Sequence, residues 1–149
     1  MESFLREKAI VQEKKHISRT YLILDDDEES RLRAYFTVAI SSMEGADLEC
    51  SNQMRKKMNI NNGLAISYLI GQVGKCDGSA KGLGKFAIEK AIMYILDANA
   101  LVGCRVIRID CRPPLIRYYA DNGFTLVGCN PRGDLNQMIR IIETKAINT

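Results

Sequence analysis

Histidine occurs once in this 149-residue chain, at His16. A Ser-His-Asp triad, a Cys-His dyad and a zinc site of mixed cysteine and histidine ligands have almost nothing to draw on, which disfavours most hydrolase chemistry. The five cysteines, Cys50, Cys76, Cys104, Cys111 and Cys129, leave one unpaired in any disulfide scheme and form no C-x-x-C pair. Such usage fits a reducing cytosol. No uncharged apolar run approaches the ~20 residues that cross a bilayer; the best, Ala91 to Leu96, is six long. The start, Met-Glu-Ser-Phe-Leu-Arg-Glu, mixes acids into its first turn and lacks the basic region and apolar stretch of a signal peptide. These absences predict a cytoplasmic chain with no membrane span and no export.

What is present is the profile of one domain over residues 1–149, with 46% hydrophobic and 26% charged residues. A fold of this length buries ~68 to 70% of the surface its unfolded chain exposes and needs no staples. Net charge is +3 but unevenly spread: residues 1–30 hold five Lys/Arg against eight Asp/Glu, and residues 51–90 hold seven against two. The basic middle suits a polyphosphate ligand or nucleic acid, and equally a plain solvated face.

Residues 2–15 place Phe4, Leu5, Ala9 and Val11 among charges, the pattern of an amphipathic helix. Thr20–Leu24 and Leu32–Ile40 read as strands around the acidic turn Asp25–Ser30. Ser41–Gly63 is poor in apolar residues and reads as a loop with a short helix around Gln53–Met58, the place to look for acceptor-substrate contacts. Leu64–Val73 reads as a central strand, apolar on both faces, with Leu64, Ile66, Tyr68 and Ile70 on one side. Gly71 inside it marks a bulge or a close backbone approach. A helix over Gly82–Ala98 carries Leu83, Ala87, Ala91, Ile95 and Ala98 on one stripe. A strand over Arg105–Cys111 follows, then a short helix opened by Pro113-Pro114 and stopped before Gly123. Phe124–Cys129 and Gln137–Ile142 close the chain as strands around the turn Asn130–Asp134. The order reads as mixed α/β with a central βαβ unit.

Ser79-Ala80-Lys81-Gly82-Leu83-Gly84-Lys85 lies between a strand and a helix start, where free backbone N–H groups and the helix dipole favour an anion. Lys75, Lys81 and Lys85 add positive charge suited to a pyrophosphate. The same glycines also serve a simple tight loop. A Walker A loop fails, because Phe86 follows Gly84-Lys85 and no glycine stands at position 79. The dinucleotide form G-x-G-x-x-[GA] is met by Gly82, Gly84 and Ala87, with Asp110 placed as a ribose-binding acid. That reading is weakened by roughly eight residues between strand and first glycine, where the dinucleotide fold makes a tight turn.

A strand with an internal disruption, a basic loop, G-x-G at a helix start and then Tyr118-Tyr119-Ala120-Asp121-Asn122-Gly123-Phe124 resemble the GNAT acyltransferase superfamily. Its loop is [RQ]-x-x-G-x-[GA] and its late motif is often F-Y-x-x-x-G-F. The resemblance is firm over 64–142 and looser from the first helix to Met43. It implies a single domain with a central, mostly antiparallel sheet, flanking helices and a splayed central strand. It also implies acetyl-CoA as donor, the strand-end backbone of Val73, Gly74 and Lys75 on its pantetheine arm, and the amides of Ala80, Lys81, Gly82, Leu83, Gly84 and Lys85 on its pyrophosphate. Ser79 departs from the family's Arg or Gln, which weakens that grip or shifts it onto Lys75 and Lys81.

Tyr119 matches the family tyrosine beside the thioester sulfur. A phenol with a reference pKa of ~10 is protonated at neutral pH and suits a general acid for a departing thiolate. Packing is the competing role, and the one that suits Tyr118. The implied reaction is direct attack by a neutral amine, with the oxyanion held by backbone N–H near Val73–Lys75. The cysteines read as core residues. Glu44, Asp47 and Glu49 are only acids in a suitable loop, so the base stays open, with water as another choice.

Phe4-Leu5-Arg6-Glu7-Lys8-Ala9, Ser18-Arg19-Thr20-Tyr21-Leu22 and Tyr35-Phe36-Thr37 resemble the GNAT toxins of bacterial toxin-antitoxin pairs. Those enzymes acetylate the α-amine of aminoacyl-tRNA. The resemblance implies aminoacyl-tRNA as acceptor, an antitoxin protein and a second copy of the chain as candidate partners, and Arg55-Lys56-Lys57 with Arg112 and Arg117 tracking RNA. A protein, peptide or small-molecule amine, or a silent acyl-CoA-binding module, are the alternatives.

Overall fold

A computed structural model describes residues 2–143. It is a mixed α/β fold with β1 (Arg19–Leu24), β2 (Leu32–Glu44), β3 (Leu64–Lys75), β4 (Val106–Cys111), β5 (Thr125–Cys129) and β6 (Asn136–Ile141). The sheet order is β1-β2-β3-β4-β6-β5. The β1–β2, β4–β6 and β5–β6 pairs are antiparallel. Helix α1 runs in three consecutive pieces, Glu2–Phe4, Leu5–Ala9 and Ile10–Lys14, and the others are α2 (Asn52–Met58), α3 (Leu83–Asn99) and α4 (Ile116–Asp121). The expected fold class holds. Among the described residues no helix is long and apolar enough to cross a membrane.

The chain divides into two compact units, one of residues up to 40 with 69–102, the other of 41–68 with the residues from 103. In the first, α1 buries Ala9, while Val11, expected on its apolar face, is 49% exposed. The reason is the middle piece, Leu5–Ala9, a π-helical turn. It widens the helix by part of a residue per turn and brings Gln12 and Glu13 round in place of Val11. Both then fasten the chain that follows: Gln12 Oε1 accepts from Ser18 Oγ at 2.9 Å, and Glu13 Oε2 accepts from Thr20 N at 3.0 Å. β1 and β2 pair in a register that sets Tyr21 opposite Phe36, and Tyr94 of α3 stacks on Tyr21 at 4.5 Å. Ala87, Ile88, Ala91, Ile92 and Ile95 form the buried side of α3; Ala98, expected on that stripe, is exposed.

In the second unit, the core is Met43, Leu48, Met58, Ala65, Val106, Val127 and Ile139, with Cys50, Met54 and Ile60 packed against it. Two boundaries differ from the sequence reading. β2 runs on to Glu44, through residues expected to be loop, because Met43 is buried while Ser42 and Glu44 face outward. A strand with one polar side has a low apolar content and is still a strand. β3 ends at Lys75, and of its expected apolar face Ile66 is 49% exposed, while Ala65 and Ser67 are fully buried.

The 45–63 segment is anchored at several points. Gly45 N donates to Gly63 O at 2.7 Å, Arg55 Nη1 to Gly45 O at 2.7 Å, and Glu49 N to Val127 O at 2.6 Å. Within it α2 is capped by Ser51, whose Oγ accepts from Met54 N at 3.1 Å. Asn59, in the left-handed conformation at φ 54°, ends it.

Candidate functional site

Val73, Gly74 and Lys75 are the last residues of β3, half-buried, buried and exposed in turn. Against Gly74 and Lys75 the first unit holds a cavity of about 620 Å³, lined by Leu5, Leu32, Ala34 and Tyr35 and by the charged Glu2, Arg6 and Asp77. That size and lining suit an organic ligand.

The loop after β3 folds back on β2. Cys76 N donates to Arg33 O at 2.8 Å, Cys76 Sγ to Leu32 O at 3.2 Å, and Ser79 Oγ to Arg33 O at 3.3 Å. The hydroxyl of Ser79, at the position where the resembled loop has Arg or Gln, thus bonds a strand carbonyl. Gly82 follows at φ +89°, and a Cβ placed on it would meet nothing within 4 Å, so conformation and not crowding demands glycine. It precedes α3 as an N-cap with no side-chain hydrogen bond. The first turn of this 17-residue helix therefore starts without a side-chain cap from residue 82, and of its amides Leu83 N, expected on the pyrophosphate, instead donates to Ala80 O at 3.3 Å. Lys81 and Lys85 flank them, both exposed, with Leu83 and Gly84 half-buried between. Gly84 lies inside the helix, as the expected range Gly82–Ala98 has it. This start carries what a phosphate needs: donors, dipole and positive charge.

Tyr119 lies in the second unit on α4, after the 3-10 turn Pro113–Leu115. It is 8% exposed, and Tyr118 and Phe124 meet its ring edge to face at 5.3 and 6.1 Å. Phe124 N closes back on Tyr119 O at 3.1 Å, and Gly123, at φ +89°, makes the turn between them. Burial, then Cys111 and Tyr118, push the Tyr119 phenol up to about 12. Tyr118 is 39% exposed, against the core role expected of it. Cys111 is buried, and burial raises its thiol, in keeping with a core role, whereas Cys129 is exposed, against the core role expected of it. Glu44, Asp47 and Glu49 are all exposed. Arg55, expected to track RNA, instead binds Gly45 O, which leaves Lys56, Lys57, Arg112 and Arg117 exposed on this unit.

The sequence reading missed a strongly held polar group of the second unit. Arg108, 9% exposed in an apolar strand, grips Asp110 with two hydrogen bonds, Nε to Oδ1 at 2.8 Å and Nη2 to Oδ2 at 2.7 Å. Its Nη1 donates to Ser41 Oγ at 3.0 Å and Ser42 O at 3.1 Å. The signal was a charged pair two apart, Arg108 and Asp110, on one face of a strand whose neighbours are isoleucines. Asp110 is thus engaged by an arginine, where the dinucleotide reading wanted it for a ribose, and seven residues separate the end of β3 from the start of α3. Among the described residues no group of three or more His, Cys, Asp or Glu side chains is arranged to hold a metal ion.

No protein-family model and no curated protein matches the sequence. Solved structures do match its fold. AtaT complexed with acetyl-methionyl-tRNAfMet aligns with a TM-score of 0.73 and 19% identity over 89% of this chain and 78% of that one. A tyrosine-to-phenylalanine mutant of KacT aligns with a TM-score of 0.75 and 20% identity over 91% and 78%. AtaTR bound with AcCoA aligns with a TM-score of 0.69 and 17% identity, again over 91% and 78%. The fold is that of the GNAT toxins, as the sequence resemblance implied.

Proposed function

We propose that the protein is an acetyl-CoA-dependent N-acetyltransferase that moves an acetyl group to a primary amine by direct attack. The observation that carries this reading is the start of α3: a left-handed Gly82, no side-chain cap, and Lys81 and Lys85 beside the first-turn amides. The loop and helix start fit a pyrophosphate, and the 620 Å³ cavity beside Gly74 fits an organic arm. One neighbour of the same fold is described as bound with AcCoA, which supports the same donor here. That donor supplies an activated thioester; Val73–Lys75 orient it, and the backbone N–H groups there stabilise the oxyanion.

Tyr119 serves the leaving thiolate. With its phenol pushed up to about 12, full proton transfer to a thiolate of reference pKa ~8.5 is uphill by ~5 kcal/mol. Its part is therefore a hydrogen bond to sulfur as charge develops, with the proton supplied later by solvent. No covalent enzyme intermediate is needed.

The acceptor in this reading is the α-amine of aminoacyl-tRNA. In support, the AtaT neighbour is described with acetyl-methionyl-tRNAfMet, and Lys56, Lys57, Arg112 and Arg117 leave the second unit with exposed positive charge. Another AtaT structure is described as bound to the C-terminus of its antitoxin AtaR, so an antitoxin is the matching partner to seek, with a second copy of the chain the other. The test is to incubate the protein with radiolabelled acetyl-CoA, total charged tRNA and a peptide mixture. Label in the tRNA fraction is expected. Label in peptides keeps the transferase and overturns the RNA acceptor, and acetyl-CoA binding without transfer to either overturns both in favour of a binding module.

A further inference from the structure

In the first unit, β1 stands at the edge of the sheet, paired on one side only, by β2. Natural edge strands are commonly blunted by a lysine, a proline or an inward-pointing charge, which discourages pairing with another chain. β1 carries one charge, Arg19 at its first residue, and it shows Leu22 and Leu24 on one face, 54% and 47% exposed. Thr20 N donates to Glu13 Oε2 at 3.0 Å, so the Thr20 amide points away from β2. Backbone groups alternate sides along an antiparallel strand, and Leu22 therefore turns its N–H and C=O to the same open edge. The register shift against β2 falls between Ile23 and Leu24, which leaves Leu22 in the regular part of the strand.

The two ends of this edge carry opposite charge. Glu13 binds both Arg19 and Thr20 N, and so holds the end of α1, with Lys14 and Lys15, at the start of β1. Asp26, Asp27 and Glu28 follow the strand. All five are exposed, and among the described residues none is in an ion pair. The charges nearer the strand are already engaged within the chain: Arg19 with Glu13, Arg33 with Asp25 and Arg31 with Glu29. One edge thus presents a basic end, an apolar middle and an acidic end.

We infer that β1 is the pairing edge for a second copy of this chain, set antiparallel across a two-fold axis at Leu22. That axis lays the basic end of each copy against the acidic end of the other, whereas a parallel match would set like charge against like. The two Leu22 residues exchange N–H···O bonds, and Leu22 and Leu24 of both copies fall on one face and cover each other. The patch is self-complementary, as a two-fold interface requires. A partner segment of one charge sign would meet a like charge at one end, and that singles out a second copy.

Sedimentation of the full chain tests this in the wild type, Leu22→Lys, a basic-end reversal (Lys14→Glu with Lys15→Glu) and an acidic-end reversal (Asp26→Lys with Glu28→Lys). The wild type is expected to dimerise, and each of the three variants to weaken the dimer by about tenfold or more. An equimolar mixture of the two reversals should regain wild-type affinity, since every altered end then meets its complement; a folding defect would not be rescued this way. Amide exchange at Leu22 should slow as the wild-type concentration rises, which needs no variant at all. A wild type that stays monomeric through the micromolar range, whether its edge is bare or takes a strand of another protein, overturns the inference. So does a dimer indifferent to the three variants, a mixture no tighter than either reversal alone, or Leu22 exchange that ignores concentration.

Discussion

Thr37 on β2 and Gly71 on β3 are fitted to each other. Thr37 Oγ1 accepts a hydrogen bond from Gln72 N at 2.9 Å, and a Cβ built on Gly71 would lie 3.0 Å from that same oxygen. Glycine at 71 is therefore a matter of space for a neighbour's hydroxyl, which replaces a strand carbonyl as acceptor for a backbone amide. Gly71→Ala should destabilise the protein by about 1–3 kcal/mol, the usual size of an overpacking effect. In a Thr37→Ala background the added methyl should cost less, because the crowding oxygen is gone. Denaturant unfolding of the four proteins of the cycle measures the coupling; additive costs would show that the two residues do not interact.

The Arg108–Asp110 pair is the electrostatic anchor of the second unit, with side chains only 10% and 18% exposed. Asp110→Ala leaves a guanidinium buried with hydroxyl and carbonyl partners alone and should cost roughly 3–5 kcal/mol. Replacing both, as Arg108→Met with Asp110→Leu, should cost less than Asp110→Ala does. Urea midpoints at constant m-value decide it.

Tyr119 gives a pH dependence with a definite sign. Its folded-state value lies above the unfolded ~10, so the native state keeps a proton that the unfolded chain loses. Below pH 10 both states are protonated and nothing changes. Between pH 10 and about 12 stability falls as pH rises, by about 3 kcal/mol in all. Tyr119→Phe should remove this component, and the difference between the two proteins' stability-pH curves isolates it from Tyr35, Tyr68 and Tyr118, whose phenols are also raised by burial. In turnover, the same variant should lose about a hundredfold in kcat with acetyl-CoA binding unchanged. The wild-type rate should show no loss from this group below pH 10.

An RNA acceptor makes the reaction sensitive to salt, because each phosphate contact made by Lys56, Lys57, Arg112 or Arg117 releases a counterion. Transfer to charged tRNA should fall steeply between 50 and 200 mM salt, on the order of tenfold or more for two to four contacts, and Lys56→Glu should lower it further. Arg55→Gln should chiefly reduce stability, since that guanidinium binds Gly45 O.

Much of this was legible in the sequence for physical reasons. Strand and helix periods placed all six strands to within a few residues, and Ser79–Lys85 announced an uncapped, basic helix start. The exceptions are instructive. Period counting assumes an ideal α-helix, so the π-helical Leu5–Ala9 turn hid the replacement of Val11 by Gln12 and Glu13. Ser41–Glu44 looked like loop because a strand open on one side carries few apolar residues. Asp110 stood out for the wrong chemistry: its partner Arg108 is two residues away, but the contact that fixes the pair, Ser41, is 67 positions distant and visible only once the strands are in order.

The central claim is that the Val73–Lys85 segment holds acetyl-CoA. Calorimetric titration of acetyl-CoA and of NADH into the wild type, and of acetyl-CoA into Lys81→Gln/Lys85→Gln, tests it most directly. The account predicts that acetyl-CoA binds one site in the wild type, that NADH does not bind, and that the double variant loses at least tenfold in affinity. NADH binding without acetyl-CoA, or acetyl-CoA bound equally well by the double variant, would contradict it.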